Sequence, residues 1–206
     1  IDVKEMENEV KRLFSDMSVP TKIVERKEYK VELINKNQFI SVTDPEMPST
    51  IGQLLIKHPS SKLETVGDMR QLIMKNIYNS LINARLREVA QQPNSPFIQA
   101  SVSISELFGG LENLGAYFVA KPGKFEDGMK AVVRELERAK KFGFTETEFQ
   151  RAITSIAKNN ETSYAERDKR KSDAFVNTYL NHFLEGKPAL SSEDQYAITK
   201  QLLPTI

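Results

Sequence analysis

The stretch from Thr65 to Ser105 constrains the fold more than any other part of the chain. Its first part reads T-V-G-D-M-R-Q-L-I-M-K-N-I-Y-N-S-L-I-N-A-R-L-R-E-V-A-Q-Q, an apolar pattern at helical spacing. The stripe Val66, Met69, Ile73, Ile77, Leu81 and Ala84 is widened by Leu72, Met74, Tyr78 and Ile82. Such width requires burial on more than one side. Pro93-Asn94-Ser95-Pro96 then breaks the helix. From Phe97 to Ser105 the pattern switches to alternation, with Ile98, Ala100, Val102 and Ile104 set against Gln99, Ser101, Ser103 and Ser105. That is a strand with one wet face. A long helix running directly into a strand must fold back onto the sheet the strand joins.

The flanking segments supply that sheet and more helices. Asn37–Thr43 (N-Q-F-I-S-V-T) reads as a first strand and Thr50–His58 as a second, separated by the two prolines of Asp44–Ser49. After Gly109-Gly110, Gly115–Lys121 returns as a fourth strand, hairpin-paired with the third. Phe125–Phe142 is a helix closed by Gly143. Thr145 and Glu148 then form a capping box stapled by Phe144 and Phe149. A break is expected across Glu166–Ser172, where six consecutive charges interrupt the apolar pattern, and a last helix spans Ser192–Leu203. At the start, Asp2 with Glu5 caps a helix, Ile1 and Met6 are placed to staple it, and Met6, Val10, Leu13, Phe14 and Met17 form its stripe. A domain boundary falls between Met17 and Lys30. With strands clustered among long helices and no repeated strand–helix–strand unit, the expected class is α+β. An antiparallel sheet is backed by helices on one face.

Composition removes several functions. Lys and Arg total 29 against 28 Asp and Glu, so no basic field draws nucleic acid or an acidic membrane. No apolar run approaches the ~20 residues of a membrane span. Without cysteine there is neither a disulfide scaffold nor a thiolate zinc site, which suits the cytosol or the periplasm equally. The chain opens on Ile-Asp-Val and stops at Leu-Pro-Thr-Ile. We read it as a piece of a longer protein, so the lack of a leader says nothing about location.

No chemical motif emerges. His58 and His182 are the only histidines, and neither has a carboxylate or second histidine at metal-ligand spacing. A surface or helix-end histidine accounts for both. Gly109-Gly110 belongs to a hairpin rather than a phosphate loop, and there is no nucleophile elbow. Arg85 and Arg87 near the end of the long helix are placed to meet its own last carbonyls, or a ligand. The Phe97–Ser105 strand leaves two readings open. Lying at a sheet edge, it could take up a peptide as an added strand; otherwise it is simply paired within the sheet.

Five phrases in order carry a resemblance: N-S-L-I-N-A-R-L-R-E-V-A-Q-Q-P-N-S-P-F-I-Q-A-S, F-T-E-T-E-F-Q-R-A, Y-A-E-R-D-K-R-K-S-D-A-F, H-F-L-E-G-K-P and L-L-P-T-I. Together they resemble the insulinase-type (pitrilysin-type) zinc metallopeptidases, bacterial long-chain members above all. The resemblance implies a processing-peptidase-like fold, with residues 1–17 as the closing helix of a preceding domain, 18–30 as a linker and 31–206 as a second, non-catalytic domain. It also implies a clam-shell of such domains around a peptide chamber, in a bacterial cytoplasm or periplasm. The family's inverted zinc motif His-x-x-Glu-His is absent here, so zinc is expected in the parent protein and none in this chain. The implied partners are a peptide or unfolded polypeptide and other domains of the same chain. Leu86-Arg87-Glu88 matches a family phrase whose continuation Gly-Leu-Ala-Tyr is replaced by a Pro-rich insertion ending at Phe97. No transition-state role is therefore carried over. The expected substrate contacts are Arg87, Gln99, Ser101, Val102 and Ser103. A structural or interaction domain of a catalytically inactive member is the alternative.

Overall fold

Thr65 opens the long helix by a reciprocal cap. Its hydroxyl accepts from the Asp68 N–H at 3.1 Å, and the Asp68 carboxylate accepts from the Thr65 N–H at 2.8 Å. The computed structural model describes residues 2–18, 21, 22, 24, 27 and 29–206. They fall into two units, Ile1–Lys30 and Val31–Ile206. The first holds α1 (Val3–Phe14), whose N-cap Asp2 accepts from the Glu5 N–H at 3.0 Å. Met6, Val10, Leu13 and Phe14 of its stripe are all exposed. Ile1, the other half of the expected staple, lies outside the described residues, as does part of the expected linker.

The second unit runs β1 (Ile51–Pro59), α2 (Val66–Ala90), β2 (Phe97–Glu106), β3 (Leu111–Ala120), α3 (Phe125–Phe142), α4 (Glu146–Ala165), α5 (Ser172–Glu185) and α6 (Ser192–Leu202). Tight 3-10 turns follow α4 and α6. The three strands form an antiparallel sheet in the order β1-β3-β2. Hairpin pairing thus puts the last strand in the middle and leaves both β1 and β2 as edges. Among the described residues no helix is long and apolar enough to cross a membrane.

Two expectations about strands are corrected. Residues 37–43 form no strand, and Phe39, Ile40 and Val42 stand exposed. Alternation shows that a segment can pair, but a strand exists only where a neighbour completes its ladder, and none does so among the described residues. The inward series of β2 also begins differently. A bulge shifts the register between Phe97 and Gln99, so Phe97 turns into the core and Ile98 is 60% exposed.

Helix α2 is buried on two sides, as its wide stripe requires. Ile82 and Leu86 pack with Phe97, Val102, Phe118 and Val132 between the sheet and α3. Ile73, Ile77 and Leu81 pack with Ala152, Leu202 and Leu203 from α4 and the end of α6. At the centre of the first cluster the Phe118 ring is gripped by two glycines. A Cβ on Gly52 would sit 2.2 Å from the ring, and one on Gly128 2.7 Å. These positions are glycine because the ring occupies the space of a side chain, joining β1 and α3 across β3.

Candidate functional site

Helix α2 and strand β2 are matched in pitch. Four residues of helix rise about 6 Å, close to the roughly 6.8 Å spanned by two residues of strand. Asn79 and Asn83, four apart on α2, therefore meet Ile104 and Val102, two apart on β2. Asn79 Oδ1 accepts from the Ile104 N–H at 2.8 Å, and its Nδ2 donates to the Ile104 carbonyl at 3.2 Å. Asn83 does the same for Val102, at 3.0 and 2.6 Å. Each carboxamide stands in for a peptide group of a neighbouring strand, so the outer edge of β2 is closed at its centre.

Val102 thereby drops out as a substrate contact by strand addition. Its side chain is 1% exposed and both outward backbone groups are taken. Gln99, Ser101 and Ser103 are exposed on the sheet face away from the core, opposite Val119, Tyr117 and Gly115 of β3. The same β3 residues face Ile51, Gln53 and Leu55 of β1. The open face thus carries an amide and hydroxyl row along β2, Tyr117 in the middle, and the aliphatic Ile51 and Leu55 along β1. Arg87 is not on this face. It is exposed on α2 one turn beyond Asn83, continuing the stripe that closes the β2 edge.

Arg85 does not spend its charge on its own helix. It is buried, and its guanidinium meets both oxygens of Glu148 at 2.6 and 2.9 Å and the Gly143 carbonyl at 3.0 Å. The ring of Phe144 lies 4.4 Å away. Glu148 also completes the expected capping box, accepting from the Thr145 N–H at 2.7 Å. The Arg85 hydrogen bonds, aided by Thr145 and opposed by partial burial, lower its carboxyl from 4.5 to about 2. This pair fastens α2 to α4, and sequence reading missed it because the partners lie 63 residues apart.

The donor set does not suit zinc. Nδ1 of His58 donates to the Pro59 carbonyl at 3.1 Å, and the neighbouring Glu112 is held by Lys75 at 2.7 Å. Nδ1 of His182 donates to the Lys187 carbonyl at 2.7 Å, on a different element. Among the described residues no group of three or more His, Cys, Asp or Glu converges.

Residues 1–156 match the family described as the Peptidase M16 inactive domain. The chain belongs to that family. A protein named zinc protease PQQL-like from Arabidopsis thaliana is 22% identical over 205 residues, covering 100% of this chain and 18% of its own length. The chloroplastic stromal processing peptidase of the same plant is 31% identical over 111 residues, which is 52% of this chain and 9% of that protein. The crystal structure of the periplasmic protease PqqL from Escherichia coli superposes on 100% of this chain and 23% of its own, with a TM-score of 0.86 and 19% identity. This M16 inactive domain thus spans at most 18% of the curated relatives' length. The resemblance to insulinase-type metallopeptidases and the expected α+β fold both stand.

Proposed function

We propose that this M16 inactive domain is a non-catalytic wall of a peptide chamber in a zinc metallopeptidase and holds the substrate polypeptide on its open sheet face. The zinc of the parent protein lies in another domain in this reading, since the sequence here holds no His-x-x-Glu-His motif. In this reading residues 1–17 close the preceding domain, residues 18–30 link, and 31–206 form the wall. Its partners are an unfolded polypeptide and the other domains of the same chain. The observation that carries the reading is the uncovered row Gln99, Ser101 and Ser103 in a chain of the inactive-domain family. Its side chains recur at roughly 6.8 Å, the repeat of an extended peptide. Tyr117, Leu55 and Ile51 offer apolar surface beside it, and Arg87 offers a charge at the border.

An interaction made equally in ground and transition states lowers KM without changing kcat. Replacing Gln99, Ser101 and Ser103 together by alanine in the full-length parent should therefore raise KM for a polypeptide substrate about tenfold at unchanged kcat. A fall in kcat at constant KM, or no effect on either, would overturn the reading.

A further inference from the structure

The two edges of the sheet are not equivalent, and the difference assigns a partner. In the antiparallel ladder each β3 residue turns its backbone groups to one neighbour only. Leu107 N–H donates to Leu111 on the β2 side at 2.8 Å, and Ala120 N–H donates to Thr50 on the β1 side at 2.9 Å. Even-numbered β3 residues therefore face β1. Their register partners Gly52, Leu54, Ile56 and His58 point inward, leaving the N–H and C=O groups of Gln53, Leu55 and Lys57 pointing outward. Among the described residues no hydrogen bond reaches those outward groups. On β2 the equivalent groups of Val102 and Ile104 are filled by Asn83 and Asn79.

We infer that β1, and not β2, is the edge that accepts a strand, and that its occupant is an extended polypeptide with apolar residues opposite Ile51 and Leu55 and an acidic one opposite Lys57. This rests on the reading that the domain holds polypeptide, and it assigns a second stretch of that polypeptide to the far edge of the sheet, beyond β1 and β3 from the Gln99, Ser101 and Ser103 row. N–H and C=O groups that repeat every two residues along an exposed edge match the backbone of an added strand, and among the described residues no side chain takes its place on β1 as Asn79 and Asn83 do on β2. Pro59, which has no N–H, ends the available edge, so the occupant is short. Bound there, it extends the open face by one strand beside Ile51, Gln53 and Leu55. The acidic residue answers Lys57, whose inward neighbour His58 faces Glu112 at 3.7 Å.

The test uses the full 206-residue chain and a fluorescein-labelled twelve-residue peptide alternating Val and Thr, with Glu near one end. Leu55→Pro removes one outward N–H and leaves the β1–β3 ladder intact. It should weaken binding at least tenfold while Val102→Pro weakens it far less. Hydrogen exchange on the unaltered chain gives the same answer without a variant: the amides of Gln53, Leu55 and Lys57 should exchange fast when free and gain protection with peptide. Binding that protects Val102 and Ile104 instead, or is indifferent to Leu55→Pro in a folded variant, overturns the inference and leaves the holding reading standing. Protection of β1 in the free chain, whether paired with protection of residues 37–43 or dependent on chain concentration, also overturns it, because the chain itself then fills the edge. No peptide binding at all removes the holding reading as well.

Discussion

Glu148 does two jobs with one carboxylate, capping α4 and neutralising the buried Arg85, and both depend on its being ionised. Its folded pKa of about 2 lies below the ordinary 4.5. The stabilisation is therefore complete above pH 4.5 and is lost as the pH falls from there through 2. Glu148→Gln should cost about 3 kcal/mol at neutral pH, the low end for a broken buried pair, because Glu148 is itself 28% accessible. It should also flatten the acid limb, so that the stability difference between the two proteins shrinks below pH 4.5. Urea midpoints measured across pH 2–7 for both proteins check this, and parallel curves would refute it. The cap was legible in the sequence because Thr145 and Glu148 are three residues apart. Arg85 was not legible as its partner, since nothing local marks a contact across 63 residues.

At the scale of elements, α2 acts as a substitute strand for β2. Its apolar width announced burial on two sides, and the two clusters confirm that. Asn79 and Asn83 announced nothing, because asparagine in a helix normally reads as solvated surface. Only the pitch match with β2 gives them their role. Replacing both by alanine should remove the four hydrogen bonds to β2 and the Asn83 Nδ2 bond to the Asn79 carbonyl, at a net cost of roughly 2–5 kcal/mol given about 1 kcal/mol for each bond, reduced where water reaches the freed groups. It should also expose an edge that promotes concentration-dependent association. Denaturant melts and light scattering check both outcomes. A stable, monomeric double variant would show that the edge did not need closing. The wet face of β2 was legible from its alternation, whereas the bulge that sends Phe97 inward and Ile98 outward was not. One extra residue shifts the phase of a two-residue period, but here it falls at the first step of the strand, where only Phe97 precedes it and no earlier alternation exists to reveal the shift.

At the scale of the whole molecule, element order and fold class could be read from periodicity, capping and proline breaks. The strand expected over residues 37–43 could not, because pairing depends on a neighbour that sequence does not display. The same limit applies to α5. Its apolar residues Phe175, Tyr179, Leu180 and Phe183 fit a helix pattern, yet the structure leaves them on the surface. For the proposed wall, purified chain should carry well under one equivalent of zinc after gel filtration, and the full-length parent one. Metal analysis of both decides it, and stoichiometric zinc on this chain would sink the proposal. The Phe118 ring, seated between Gly52 and Gly128, has a mechanical consequence. It rivets the central strand to β1 on one side and α3 on the other, so sheet and helix cannot slide past each other. Built this way, the domain of the proposed wall meets a polypeptide as a stiff panel and not as a surface that reshapes around it.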